Sequence, residues 1–283
     1  GVLVSVIITI IIVSYQSLLI FQTELDFLKN IRSITGTFAN KNLLSSTLFL
    51  SIPFIYISID YGKVWKIISI STLFFLLIII WILQSKAVVI ATLISLTTFS
   101  LLIFLFSKKS NLKIIFKVGI LIGALTLITT ITLKNKDKFS RLTNSHTAYT
   151  RLDIWKSSVE MVSKNWLFGV GAGNWKINLP NQGLDHFESK LVRNGLKIYQ
   201  RPHNDFLGII CETGILGFLA YVTIFILILK YLIFLLRKDQ KNKTIISIIF
   251  SSFLGYLFIA LVDFPLERIG SQTLLSIIFS VIT

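Results

Sequence analysis

Eight long, nearly uninterrupted apolar runs constrain this chain more than any other feature: 1–21, 43–59, 64–83, 87–106, 113–133, 206–236, 244–262 and 270–283. At 1.5 Å per residue, about 20 apolar residues in a helix cover the ~30 Å hydrocarbon of a bilayer. The runs therefore predict an all-α fold, a polytopic transmembrane helix bundle of about eight helices. Composition agrees, with 54% hydrophobic and 14% charged residues among 283, against roughly 25% charged in soluble domains. The run at 206–236 is long enough to project beyond the hydrocarbon or to tilt strongly. Gly1 opens inside a run with neither a basic segment nor a cleavage site before it. That run reads as a membrane helix rather than a signal peptide, in a chain that has lost upstream helices.

The runs divide the chain into three parts: helices one to five over 1–133, a large polar loop over 134–205, and helices six to eight over 206–283. Lys and Arg in short loops mark the cytoplasmic side. One side carries ten of them (Lys63, Lys66, Lys108, Lys109, Lys113, Lys117, Arg237, Lys238, Lys241, Lys243) and the other five (Lys29, Arg32, Lys41, Lys86, Arg268). The first side is thus cytoplasmic and the large loop faces outward. A site assembled from several loops forms on the outer side, where the 22–42 loop, Lys86, the large loop and the Asp263–Arg268 turn all lie.

The large loop holds 12 Lys/Arg against 6 Asp/Glu, a net charge of +6. That surplus either faces water and anionic lipid headgroups or gathers a polyanionic substrate such as a pyrophosphate. Nucleic acid fits poorly, because the charges do not interleave with aromatics and the loop lies outside the cytoplasm. Within the loop, Arg151, Ile154, Trp155, Ser158, Met161 and Val162 recur at three- and four-residue spacings, predicting an amphipathic helix over 147–163 that lies against the membrane surface or the bundle. Arg151, at the start of its stripe, either snorkels or holds an anion.

Two tempting motifs fail on context. Gly169-Val-Gly-Ala-Gly173 has no strand–turn–helix unit around it and no phosphate-loop lysine, so it reads as a flexible turn and no nucleotide is expected. His146, His186, His203 and the single Cys211 show no metal-ligand spacing, so neither a metal nor another cofactor is expected. Cys211 can form no internal disulfide.

Arg201-Pro-His-Asn-Asp205 opens the sixth run. Pro202 suits the first helical position, and Asn204 or Asp205 can cap the helix. His203 stands at the membrane–water boundary beside Arg201, either idle or as a general base whose neutrality the nearby cation favours. Glu212, on the face of Asp205 and Gly208, reads as an intramembrane acid, which marks a functional position by default. Gly214 and Gly217 permit close helix packing.

Three stretches carry a resemblance: Arg151-Leu-Asp-Ile-Trp155; Trp166-Leu-Phe-Gly-Val-Gly-Ala-Gly173; and His203-Asn-Asp-Phe-Leu-Gly-Ile-Ile-Cys-Glu-Thr-Gly-Ile-Leu-Gly217. With Gly36-Thr-Phe-Ala-Asn-Lys-Asn42 upstream, their order resembles the O-antigen ligase and O-antigen polymerase superfamily over roughly residues 34–270. That resemblance implies a GT-C-like, metal-independent, inverting glycosyltransferase in the bacterial inner (cytoplasmic) membrane. It would take a glycan from an undecaprenyl-pyrophosphate carrier at the periplasmic face and pass it to an acceptor hydroxyl. The acceptor would be lipid A-core in a ligase, a second carrier-linked glycan in a polymerase, and a protein in related oligosaccharyltransferases. The implied catalytic residues are His203 and Arg151. Arg151, Lys86, Arg201 and Arg268 would hold the pyrophosphate, with Trp155, Asn204, Asp205 and Glu212 in support. Lys86 stands where the family commonly has arginine, which keeps the charge and loses the bidentate fork. A lipid-linked glycan transporter would instead show charged or broken helices in two similar halves. A scaffold without chemistry would leave Lys86, Arg151, His203 and Arg268 gathered on one side for no reason.

Overall fold

The computed structural model describes residues 1–23, 33–38, 40–106, 146–183, 187, 190–195, 198–239 and 241–282. The span expected at 113–133, and the charges at Lys29, Arg32, Lys108, Lys109, Lys113 and Lys117, lie outside the described residues. Among the described residues, eight helices longer than two turns are α1 (Val2–Thr23), α2 (Lys41–Ile57), α3 (Lys63–Leu83), α4 (Lys86–Phe106), α5 (His146–Lys164), α6 (Asp205–Lys238), α7 (Lys243–Val262) and α8 (Ile269–Ile282). Six of the described helices, α1 to α4, α6 and α7, are long and apolar enough to cross a membrane. The protein is a multi-pass helical membrane protein. Its contacts divide it into two compact units.

The first unit comprises Gly1–Ile120, Leu232–Ile259 and Pro265–Thr283. In it α2 packs against α1, α3, α4 and α8. Lipid removes the hydrophobic incentive for helices to associate, so close approach and hydroxyl bonding matter more. Gly255 supplies close approach: a Cβ there would stand 2.4 Å from the Phe49 ring. Buried hydroxyls bond back to their own helices, as Ser45 Oγ does to the Lys41 carbonyl at 2.7 Å and Thr92 Oγ1 to Val88 at 2.8 Å. Asn40 caps α2, its Oδ1 accepting from the Leu43 N–H at 2.9 Å. Lys41 Nζ donates to the Leu83 carbonyl at the end of α3, after which Gln84 turns left-handed (φ 47). A mostly apolar cleft of about 200 Å³ lies among Ile52, Leu73, Leu77, Leu96, Phe99 and Ile248. Between α6 and α7, Asp239 accepts from the backbone N–H groups of Asn242 and Lys241. The Asn242 bonds hold its carboxyl below the usual carboxylate range. That turn is therefore supported above the ordinary carboxylate pKa and loses support as pH falls through the lowered one.

The second unit comprises Leu121–Tyr231 and Ala260–Phe264. Its core is built by Ile154 and Met161 of α5, by Trp175, Leu179, Phe187 and Val192, and by Cys211 of α6. The expected amphipathic helix over 147–163 forms as α5, and its apolar stripe closes this core against Cys211 of the membrane-spanning α6, the bundle alternative. Trp175 is 2% exposed, and its Nε1–H donates to Ser158 Oγ at 3.0 Å. Cys211 Sγ donates to the Ser158 carbonyl at 3.3 Å. Ser158 thus ties α5 both to the Trp175 turn and to α6.

Candidate functional site

The turn before α6 is conformationally costly and held from three directions. His203 has φ 54, a left-handed backbone that a non-glycine residue adopts only when its surroundings impose it, at about 1–3 kcal/mol. From one side the Trp155 indole N–H of α5 donates to the Pro202 carbonyl at 2.9 Å. After it, Asn204 caps α6, its Oδ1 accepting from the Leu207 N–H at 2.9 Å. Pro202 precedes the helix and lies against Gly208, so the expected place at the first helical position is corrected to a position outside it. From the third side, His203 Nδ1 lies 3.3 Å from Asp263 Oδ1, and the Phe264 ring meets the imidazole edge to face at 4.9 Å.

This arrangement changes the electrostatics foreseen for His203. To the cation expected from Arg201 the structure adds an anion: the Asp263 carboxylate lies against the imidazole. A carboxylate at Nδ1 favours the tautomer with its proton there, which leaves the Nε2 lone pair free to accept one. His203 remains 35% exposed and Asp263 20%, so both groups are sheltered yet the imidazole can be reached. Asp263 was missed as a partner because 60 residues separate the two. The available signal was topological: Asp263 sits in the turn that follows the seventh apolar run, which the charge distribution places on the same side as His203.

Arg151 stands one helical turn before Trp155 on the same face of α5, and residues four apart on a helix are neighbours. Trp155 in turn holds the His203 turn, so the two candidate catalytic side chains belong to one connected piece of structure. Arg151 is partly buried, and its Nε is shielded from solvent with no hydrogen-bond partner among the described residues. An unsatisfied guanidinium N–H sheltered from water is costly unless an acceptor arrives.

Behind this turn α6 is broken. Gly214 takes φ 67 and ψ −169 inside the helix, which frees backbone groups that residues 165–171 satisfy. Val170 N–H donates to the Cys211 carbonyl and Gly171 N–H to Glu212, both at 2.9 Å, and Ile215 N–H donates to Trp166 at 2.8 Å. The glycine-rich motif is therefore a pinned clasp, not a flexible turn. A Cβ on Gly169 would stand 2.4 Å from the Glu212 carbonyl carbon, at φ +70. We expect Gly169→Ala to destabilise the protein by at least about 2 kcal/mol. Gly208→Ala, whose nearest obstacle is 3.3 Å away, should cost less. Because Cys211 is fully buried, its exposure to a thiol-reactive dye on heating reports the loss; equal melting curves for the two variants would refute the clasp.

The other predicted residues are placed less decisively. Glu212 Oε1 accepts from the Trp175 N–H at 3.3 Å, which gives it a positioning role. Arg201 and the buried Asp205 flank His203 in the second unit. Lys86, exposed at the start of α4, and Arg268, before α8, belong to the first unit. Among the described residues no three His, Cys, Asp or Glu side chains cluster as a metal would require. Among the described membrane-spanning helices only α6 holds a residue with non-helical φ and ψ, at Gly214, while Pro53 interrupts α2.

A family model described as O-antigen ligase matches residues 71–222. The match takes in Lys86, the whole of α5 with Arg151 and Trp155, the clasp, and the first half of α6 with His203. It stops short of Asp263 and Arg268. A comparison with curated proteins finds no match.

Proposed function

The chain belongs to the O-antigen ligase family, and on that premise we propose that it is an inverting glycosyltransferase working at the outer face of the bacterial inner membrane. The donor is a glycan on an undecaprenyl-pyrophosphate carrier and the acceptor a sugar hydroxyl of lipid A-core. The observation that carries this reading is the His203–Asp263 pair, joined through Trp155 and Pro202 to the helix that bears Arg151.

In this mechanism His203 Nε2 takes the proton from the acceptor hydroxyl while Nδ1–H keeps donating to the Asp263 carboxylate. The hydroxyl oxygen forms a bond to the anomeric carbon as the bond from that carbon to the pyrophosphate oxygen breaks. The leaving group keeps the electron pair, and Arg151 meets the charge that develops on it. Arg201, in the same unit, adds to the positive field around the donor. Asp263 balances the imidazolium as it forms, an orienting role analogous to the carboxylate of a hydrolytic triad. The proton transfer and charge neutralisation need no metal.

The test is the gel pattern of surface polysaccharide after deletion of the full-length gene. Loss of all long chains from lipid A-core, with carrier-linked polymer accumulating, is the expected result. Single repeat units left on the core would make the protein a polymerase, and an unchanged pattern would overturn the transferase reading. Reporter fusions near Asn181 should report the outer side and fusions after Arg237 the cytoplasm. The reverse would remove the donor from reach of the site.

A further inference from the structure

We propose that the clasp at residues 165–171 is a membrane-interface anchor: Trp166 and Phe168 seat in the headgroup–acyl boundary of the outer leaflet and fix the level at which α6 leaves the bilayer. The inference rests on the membrane reading of the helices and not on the transferase chemistry.

The first argument is length. The unbroken part of α6 after Gly214, residues 215–238, extends to about 36 Å, while the hydrocarbon is ~30 Å thick. Upright, about 20 residues fill that thickness, and at a tilt of ~40° about 26 do. The basic pair Arg237 and Lys238 marks the cytoplasmic end of the apolar stretch. Counting back from Leu236, the outer hydrocarbon boundary falls at about residue 217 upright and 211 tilted. Gly214, where the helix breaks, lies inside that window.

The second argument is how the break is satisfied. Unpaired N–H and C=O groups in hydrocarbon cost several kcal/mol each, and the clasp supplies bonds to Cys211, Glu212 and Ile215 at that level. The clasp is thus tied to the helix within one turn of the expected boundary. Its own side chains are unusual for a water-facing loop, with Trp166 60% and Phe168 72% exposed. Directly below, Leu216 and Leu219 are each 54% exposed on the membrane-spanning part of α6. The Ile215 N–H to Trp166 carbonyl bond sets the two aromatics beside the start of that exposed stretch, and amphipathic rings concentrate where hydrocarbon gives way to headgroups. On this placement Glu212 lies at interfacial depth, which removes the cost of an acid in the bilayer centre. His203, eleven residues before Gly214, stands clear of the hydrocarbon.

The experiment places single cysteines at Trp166, Phe168 and, as a reference, Asn181, in full-length protein carrying Cys211→Ala. An environment-sensitive fluorophore on each is read in vesicles of phosphatidylethanolamine and phosphatidylglycerol containing lipids spin-labelled at graded depths. Labels at 166 and 168 should lie about 15 Å from the bilayer centre, within ~5 Å of the hydrocarbon edge, while the label at 181 stays in water. To guard against misfolded variants, the unaltered protein is photolysed with a phospholipid bearing a diazirine just below its headgroup. Adducts should then map to Trp166 and Phe168. Aqueous labels at 166 and 168 would overturn the anchor. So would labels shielded from water but not quenched by lipid, or lipid adducts on Leu216 and Leu219 without any on Trp166 or Phe168.

Discussion

His203→Gln is expected to lower glycan transfer by purified full-length protein at least ~100-fold, with donor binding and melting temperature near those of the unaltered protein. An amide keeps the hydrogen-bonding capacity of the imidazole but cannot accept a proton near neutral pH, so the variant separates a base from a mere contact. The loss of one general base typically costs about 10²–10⁴-fold. Two neighbours sharpen the test. Asp263→Asn leaves a polar group beside Nδ1 while removing the charge that fixes the tautomer, and it should lower kcat with little change in KM. Trp155→Phe keeps the ring but removes the N–H that holds Pro202; freeing the left-handed turn should cost activity through position alone, leaving the shape of the pH–rate profile unchanged. The assay is run with EDTA present. Near-normal turnover by His203→Gln would reduce the histidine to a structural residue, and activity lost to EDTA would reveal a required metal.

How far the sequence led is clear from particular residues. The spans of α1 to α4, α6 and α7 follow their apolar runs to within a few residues, because length and hydropathy are local properties that a bilayer reads directly. Helix α5 was legible from its spacing, which left its destination open between the membrane surface and the bundle. An amphipathic stripe shows only that one face seeks apolar company; that the company is Trp175, Phe187 and Cys211 depends on chain closure over up to about sixty residues. The break at Gly214 was invisible for a related reason. A glycine in an apolar run permits both close packing and a break, and what decides is the Gly169–Gly171 backbone arriving to take the freed carbonyls. The same distance concealed Asp263 from His203. Local chemistry could name the histidine as a base, whereas the carboxylate that orients it came from a different turn.

Arg151→Ala should nearly abolish transfer, and Arg151→Lys should restore only part of it. The argument begins with the sheltered Nε that finds no acceptor among the described residues. A snorkelling arginine would turn its guanidinium into water, where every N–H is satisfied; one held partly buried with an unused donor suits an anion that arrives with the substrate. Pyrophosphate oxygens match the planar fork of arginine two at a time, while lysine offers a single compact charge. The contribution is also aimed at the transition state, since negative charge on the leaving group grows as the glycosidic bond breaks. The loss should therefore appear mainly in kcat, with donor affinity falling less. Lys86 offers the converse comparison: it is already a point charge, so Lys86→Arg should be tolerated and Lys86→Ala should reduce turnover. The measurement is single-turnover transfer from carrier-linked glycan by full-length protein at matched expression. If Arg151→Ala retains normal turnover, the arginine merely packs along α5, and the charge on the departing pyrophosphate must be met by another residue.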